Sequence, residues 1–156
     1  MKSKNILLNI VVSALSRVYK DHSYLIENRV SERSIVFWFG IYVYDLKKDT
    51  FLKDFDLDIE YNRNKVDQKR TQNFPNGSFP DLILHKRGTN DSNLLIIEFK
   101  TWWNENNSND LIKLQDFTSA KGKYKFKIGL SILIDKEKPF GIILENRKVV
   151  GRMLYV

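Results

Sequence analysis

Three residues with the chemistry of a metal-dependent hydrolase lie on two predicted strands that a turn connects. Asp81 begins the segment Asp-Leu-Ile-Leu-His, and Glu98 and Lys100 lie at the end of the apolar run that starts at residue 94. Side chains two apart in a strand point to the same face, so Glu98 and Lys100 share a face while Phe99 lies on the other. Two carboxylates and one ammonium on one patch are suited to holding a divalent cation beside a reacting group.

The turn between these strands determines which residues oppose each other. Residues 87–92 contain Gly, Thr, Asn, Asp and Ser, which are typical of a turn. If the hairpin is centred between Thr89 and Asn90, Asp81 falls directly opposite Glu98. Opposed residues share a face, with Cβ atoms roughly 4.5–5.5 Å apart. We therefore expect the two carboxylates to lie close enough to share one cation.

The same residues resemble the motif of the PD-(D/E)XK nuclease superfamily, which is Pro-Asp, a variable spacer, and then an acid, any residue and Lys. Here the motif is Pro80-Asp81, a sixteen-residue spacer and Glu98-Phe99-Lys100. The segments 31–35 and 60–63 also look like a small branch of bacterial and phage-defence nucleases. The resemblance extends from about residue 31 to residue 133.

The resemblance implies an activity, a cofactor and roles for individual residues. Asp81 and Glu98 would bind Mg²⁺ or Mn²⁺ together with the backbone carbonyl of Phe99. Lys100 would orient the attacking hydroxide and stabilise the developing charge. The implied activity is hydrolysis of phosphodiester bonds, and DNA is the substrate that this family most often cuts.

Two predicted helices carry further candidate residues. Glu32 lies in the first turn of a helix, where the family places its first catalytic glutamate, and on the same helical face as Ile35. The alternative is an acid that only stabilises the helix N-terminus. Lys113 lies on a later helix, from which related nucleases direct a polar group into the site. A surface lysine with no such role is the alternative.

Candidate nucleic-acid contacts lie on both sides of the motif. The polar segment 62–78, which shows no regular pattern, contains Arg63, Lys65, Lys69 and Arg70, and phosphate contact is expected there. A flexible basic loop without a partner is the alternative. Strand parity places Trp102 on the side of Glu98, where its ring would stack on a base or sugar, although core packing explains it equally well.

The composition limits the kinds of site that the chain can form. The 156 residues include no cysteine, which excludes disulfides, thiolate zinc sites and cysteine nucleophiles. His22 and His85 are the only histidines, which favours oxygen-ligated Mg²⁺ or Mn²⁺ over zinc. The net charge of +7 favours a polyanionic partner, although a basic surface without a specific partner is the alternative.

The order of the predicted elements favours one α/β domain, residues 1–156, with a central mixed β-sheet flanked by helices. The resemblance adds a restriction-endonuclease-like core with the order α-α-β-β-β-α-β-β. The predicted helices are an amphipathic first helix with apolar positions 7, 11, 14, 15 and 18, a second from residue 28 or 31 to about 46, and a third at 110–119. The predicted strands are 54–61, 79–85, 93–100 and 128–134, followed by two near 140–145 and 148–155.

The two N-terminal helices also bear on location and partners. The first apolar run is too short to span a bilayer, so we expect a cytoplasmic protein with no membrane contact. The second helix carries another apolar face, formed by Phe37, Trp38, Ile41 and Tyr44. Either the first helix covers part of this face, or the face joins two copies in a homodimer.

Three functions therefore remain open at the level of sequence. The first is a metal-dependent nuclease. The second is a nuclease-fold protein that binds nucleic acid without cutting it, which the intact set of Asp81, Glu98 and Lys100 disfavours. The third is a protein-interaction module whose basic surface is incidental.

Overall fold

The elements form around apolar runs with strand or helix periodicity, and the computed structural model describes them over residues 2–64, 67–104 and 109–154. The helices are α1 (Lys2–Asp21), α2 (Ser23–Glu27), α3 (Glu32–Lys47) and α4 (Asp110–Thr118), with a 3-10 helix at Phe51–Asp54. The strands are β1 (Asp56–Ile59), β2 (Arg63–Asn64), β3 (Asp67–Gln68), β4 (Leu82–His85), β5 (Leu95–Thr101), β6 (Ile128–Ile134), β7 (Phe140–Glu145) and β8 (Lys148–Leu154).

Six of the strands form one mixed sheet in the order β1-β4-β5-β6-β7-β8. Strands β5 and β6 are parallel, and the other neighbouring pairs are antiparallel. The predicted α/β class with a central mixed sheet is therefore confirmed. The order differs from α-α-β-β-β-α-β-β, because α2 and the small β2–β3 sheet are additional and because three strands follow α4, as the separate strand predictions at 128–134, 140–145 and 148–155 indicate.

Helices α1 and α3 cover one face of the sheet. The predicted apolar face of α1 is buried at all five positions, and α3 begins directly after Ser31 as expected. The ring of Phe39 on α3 packs edge-on against Phe99 of β5, with ring centres 5.1 Å apart. Among the described helices, none is long and apolar enough to cross a membrane.

Helix α4 covers the opposite face, and its close approach to the sheet positions the candidate site. It buries Leu114 and Phe117 against Ile83 of β4 and Ile96 of β5. A Cβ atom at Gly129 of β6 would lie only 3.0 Å from the Cγ2 of a threonine on α4. Glycine at this position therefore lets α4 lie flat over the parallel pair that it connects.

The second apolar face of α3 is not covered by α1, which corrects one of the two expectations for it. Phe37, Trp38, Ile41 and Tyr44 are all exposed. Only Trp38 gains a ring contact from the end of α1, stacking on His22 with ring centres 4.2 Å apart. A homodimer through this face stays a prediction.

Two predictions for residues 54–78 are wrong in detail. The alternation of acids along the predicted strand 54–61 indicates a solvated acidic face, formed by Asp54, Asp56, Asp58 and Glu60. In the structure, Asp58 is instead mostly buried and accepts hydrogen bonds from His85 and Arg87. The following segment is not without structure, since it contains the β2–β3 pair and buries Asn64, Lys69 and Ser78. Backbone hydrogen bonds, together with side-chain bonds to Asp116 and Tyr124, hold this segment in place without any apolar periodicity.

Candidate active site

The pairing of β4 with β5 places Asp81 opposite Glu98. Leu82 pairs with Ile97, and one further step in the same antiparallel register brings the two acids across from each other. The backbone N–H of Phe99 donates to Asp81 Oδ2 at 2.6 Å, which holds this carboxylate against β5. The register expected from the turn is therefore confirmed.

Glu98 is buried and is paired with a lysine from α4. Its side chain is 2% exposed, and Lys113 Nζ lies 2.6 Å from Glu98 Oε2. Glu98 Oε1 is buried without a hydrogen-bond partner among the described residues. Burial, followed by the charge of Asp81, raises the pKa of Glu98 well above its usual range. The alternative of Lys113 as a surface residue is wrong, because its side chain is only 15% exposed.

Lys100 lies on the same sheet face and pairs with a second residue of α4. Its Nζ is 3.2 Å from Asp110 Oδ2, and both side chains are mostly buried. As an acid at the start of the predicted helix 110–119, Asp110 is expected from the sequence to cap that helix, but Asn109 occupies the N-cap position instead. One sequence feature could have identified Asp110 as a site residue: it is an acid in the first turn of the helix that follows β5.

Glu32 reaches Asp81 from the other layer of helices. Burial, followed by the charge of Asp81, raises the pKa of Glu32 to about 7. Its Oε2 atom is buried with no hydrogen-bond partner among the described residues. Glu32 and Asp81 line a cavity of about 200 Å³ together with Glu60, whose carboxylate accepts from Arg33 Nε at 2.8 Å. Glu32 therefore faces the motif carboxylates, as expected.

The cluster carries more negative than positive charge. Burial comes first among the causes that raise the pKa of Asp81, and the charge of Asp110 raises it further. If every group is ionised, four carboxylates and two ammonium groups leave an excess of two negative charges. The members are Glu32, Asp81, Glu98, Asp110, Lys100 and Lys113. Bound protons or a divalent cation would neutralise this excess.

The chemistry of these donors fits a hard cation, although their present spacing does not form a complete site. Among the described residues, no group of three or more His, Cys, Asp or Glu side chains is arranged to hold a metal ion. Two carboxylate oxygens, Glu32 Oε2 and Glu98 Oε1, are nevertheless buried and unpartnered. Carboxylate oxygens are the ligands that Mg²⁺ and Mn²⁺ prefer. The carbonyl of Phe99 as a further ligand stays a prediction.

The predicted phosphate contacts of the 62–78 segment separate into exposed and buried residues. Arg63 and Arg70 are exposed, and Lys65 lies outside the described residues. Lys69 is 2% exposed, and its ammonium donates to the Arg63 carbonyl and lies 4.4 Å from the ring centre of Tyr61. Burial lowers its pKa to about 8. Lys69 therefore supports the local fold and does not present its charge to a phosphate.

The expected position of Trp102 beside Glu98 is wrong. Strand β5 ends at Thr101, so the alternation of side chains does not continue to Trp102. Its indole Nε1 donates to the Ile26 carbonyl at 3.4 Å, and Arg29 lies over its ring at 4.6 Å. Trp102 therefore packs in the layer of α1–α3, away from the carboxylates.

Comparison of the chain with family models, curated proteins and solved structures finds no match. The resemblance to the nuclease superfamily thus rests on the motif residues and the segments 31–35 and 60–63 alone. The geometry of Asp81, Glu98 and Lys100 and the residues that α3 and α4 add to them form the basis for a functional proposal.

Proposed function

We propose that this chain is a nuclease that uses Mg²⁺ or Mn²⁺ to hydrolyse phosphodiester bonds in DNA. The observation that carries the proposal is the opposition of Asp81 and Glu98 across β4 and β5, with Lys100 on the same face. The location supports it, because ligands of α/β sheets commonly bind outside the carboxyl ends of parallel strands. Glu98 and Lys100 lie near that end of β5.

The residues of the cluster divide into those that bind and those that position. Asp81 and Glu98 would hold the cation, which when bound supplies an acidified water and neutralises charge on the phosphate. The hydrogen bond from the Phe99 N–H fixes Asp81, and the Lys113 ammonium fixes Glu98. These two contacts limit how far either carboxylate can rotate, as a preorganised site requires.

Hydrolysis in this site needs an oriented water and an acceptor for its proton. The water oxygen forms a bond to phosphorus while the bond from phosphorus to the leaving sugar oxygen breaks, and that oxygen takes up a proton from a solvent water. Lys100 stabilises the charge that develops on the phosphoryl oxygens. Glu32 accepts the proton from water, because its carboxylate lines a cavity with Asp81 and keeps one buried oxygen without a hydrogen-bond partner among the described residues.

A second candidate function is a nucleic-acid-binding protein that does not cut. The observation that favours it is the pairing of each lysine with an acid, Lys113 with Glu98 and Lys100 with Asp110. These pairs partly neutralise the cluster without any metal. The nuclease requires a divalent cation to displace or supplement them, whereas the binding protein does not.

Incubation with DNA separates the two candidates. Supercoiled plasmid and linear single-stranded DNA would each be incubated with the protein in Mg²⁺, in Mn²⁺ or in a chelator. A nuclease nicks or linearises the plasmid, or shortens the single strand, only with the metal. A binding protein shifts the mobility of DNA in every buffer and leaves its covalent structure intact.

A further inference from the structure

We infer that a basic cleft at the C-terminal end of α4 binds backbone phosphates of the nucleic acid strand that enters the candidate active site. The inference rests on the proposed function and names the surface that supplies its affinity. The cleft has a volume of about 370 Å³ and lies between α4, the segment 70–72 and the segment 119–124. Its charged lining consists of Arg70, Lys121, Lys123, Arg147 and Asp116, an excess of three positive charges.

The floor of the cleft is a buried acid that ties its walls together. Asp116 is 7% exposed and accepts hydrogen bonds from the Thr71 hydroxyl at 2.7 Å and from the Asn73 amide at 2.9 Å. Arg147 Nη1 lies 3.5 Å from the same carboxylate. Asp116 thus connects α4 to the 70–73 segment and to the β7–β8 turn. The cleft is a built feature of the fold rather than a chance group of lysines.

Two walls of the cleft, the segments 70–72 and 119–124, are joined through Tyr124 and present their cations to solvent. The Tyr124 hydroxyl accepts from the Arg70 N–H at 2.7 Å and donates to the Arg70 carbonyl at 2.9 Å. Arg70, Lys121 and Lys123 are exposed, and within the described part of the chain no acid forms an ion pair with any of them. Their charges are therefore available to a ligand with several negative charges.

The cleft and the candidate active site lie along the same helix. Six residues separate Lys113 from Ser119, which is roughly 9 Å along α4 at about 1.5 Å per residue. Successive phosphates of a stacked strand advance about 3.4 Å, so the two sites are separated by the rise of two to three nucleotides. A cavity of about 350 Å³ lined by Phe74, Phe79 and Lys113 lies beside α4 at the active-site end.

The carboxylate cluster and the cleft carry opposite net charges. The carboxylate cluster has an excess of negative charge and repels phosphate when no cation is bound. Affinity for nucleic acid must then come from another surface, and the cleft offers three excess positive charges beside the cluster. Neutralising phosphates with lysine and arginine releases counterions and gives binding that weakens with salt.

The test uses a double variant and a control with the same change in charge. Lys121→Gln with Lys123→Gln removes two cleft charges, while Lys48→Gln with Lys53→Gln removes two exposed charges near the end of α3. Binding of a fluorescent duplex would be measured in the presence of a chelator at salt concentrations from about 50 to about 200 mM, the range over which such binding weakens strongly. The cleft variant should bind about tenfold more weakly at low salt and lose roughly 1.8 from the log–log salt slope. The control should match the native chain.

Each outcome decides one of the two proposals. Equal slopes for the native chain and the cleft variant would overturn the cleft, even if the native chain cuts DNA. A reduced slope in a protein that never cuts would sustain the cleft and count against the nuclease. Displacement of the duplex by a nucleoside monophosphate at an equal concentration of nucleotide would also overturn the inference about the cleft. The cleft would then bind a single terminal phosphate rather than the phosphates of a backbone.

Discussion

Lys113 Nζ lies 2.6 Å from Glu98 Oε2, so a helix that follows the motif strand supplies a cation to its central carboxylate. Both side chains are largely buried. A buried pair of this kind is costly to break from one side only, because the remaining charge has no water to solvate it. The relationship makes Lys113 part of the site rather than part of the surface.

Removing Lys113 alone should destabilise the protein more than removing the whole pair. Lys113→Met leaves Glu98 buried without a cation, and we expect a loss of about 3 kcal/mol in the free energy of unfolding in chelator at neutral pH. Adding Glu98→Gln should recover part of that loss. Urea unfolding measures both, with Lys121→Met as an exposed control. Additive effects of the two substitutions would contradict the pairing.

Because of Glu32, the free energy of unfolding of the metal-free protein should decrease as the pH rises from weakly acidic to weakly alkaline values. Its pKa is raised from 4.5 to about 7 in the folded chain, so its stabilising proton is fully bound below pH 4.5 and is lost as the pH rises through 7. We expect Glu32→Gln to exceed the native stability by about 1 kcal/mol at pH 8 and to match it only near the unfolded pKa of 4.5. A Glu27→Gln control, on an exposed residue, should show no such difference.

Asp58 should govern part of the acid unfolding. Burial alone would raise its pKa, but hydrogen bonds from His85 and Arg87 outweigh burial and hold that pKa well below its usual range. The stabilisation is therefore present above the unfolded value of 3.8 and is lost as the pH falls below it. Asp58→Asn should cost about 2 kcal/mol at pH 7 and flatten the fall in stability below pH 4. If the dependence of stability on pH below 4 were unchanged in this variant, Asp58 would have no part in acid unfolding. Asp49→Asn, at an exposed acid, is the control.

Neighbouring Lys69 and Arg70 should behave differently in DNA binding. Lys69 is buried against Tyr61, whereas Arg70 is exposed at the cleft. Arg70→Gln should lower the log–log salt slope by about 0.9 for duplex DNA. Lys69→Met should leave the slope as it is, because the lost charge does not face the ligand. The reverse result would show that the 62–78 segment rearranges when DNA binds.

The sequence predicted those features of the fold and site that depend on local pattern. The turn composition located the β4–β5 hairpin between residues 87 and 92, and a centre between Thr89 and Asn90, which the pairing of Leu82 with Ile97 confirms, places Asp81 opposite Glu98. Helical periodicity likewise identified the buried face of α1 and the inward position of Glu32. These inferences succeed because the spacing of residues along one element determines its faces.

Tertiary packing decided the remaining features. Lys113 and Asp110 reach the motif strand because α4 crosses back over the parallel pair, and no short-range pattern encodes that return. Trp102 leaves the predicted face because β5 ends one residue before it. Lys69 was expected on the surface as a lysine in a polar segment, yet the carbonyl of Arg63 and the Tyr61 ring supply an internal environment for its ammonium.

Cleavage by a variant that keeps the fold tests the central proposal most directly. Asp81→Asn retains an oxygen that can accept the Phe99 N–H but removes the negative charge, and Asp49→Asn is the control at an exposed acid. Plasmid cleavage in Mg²⁺ and in Mn²⁺ would be measured for both and for the native chain, alongside DNA binding in chelator. We expect the native chain and the control to cut, and Asp81→Asn to bind DNA at least as tightly as the native chain without cutting, since one charge that repels phosphate is lost. Equal cleavage by Asp81→Asn, or no cleavage by the native chain in either Mg²⁺ or Mn²⁺, would contradict the assignment of this cluster as a nuclease site.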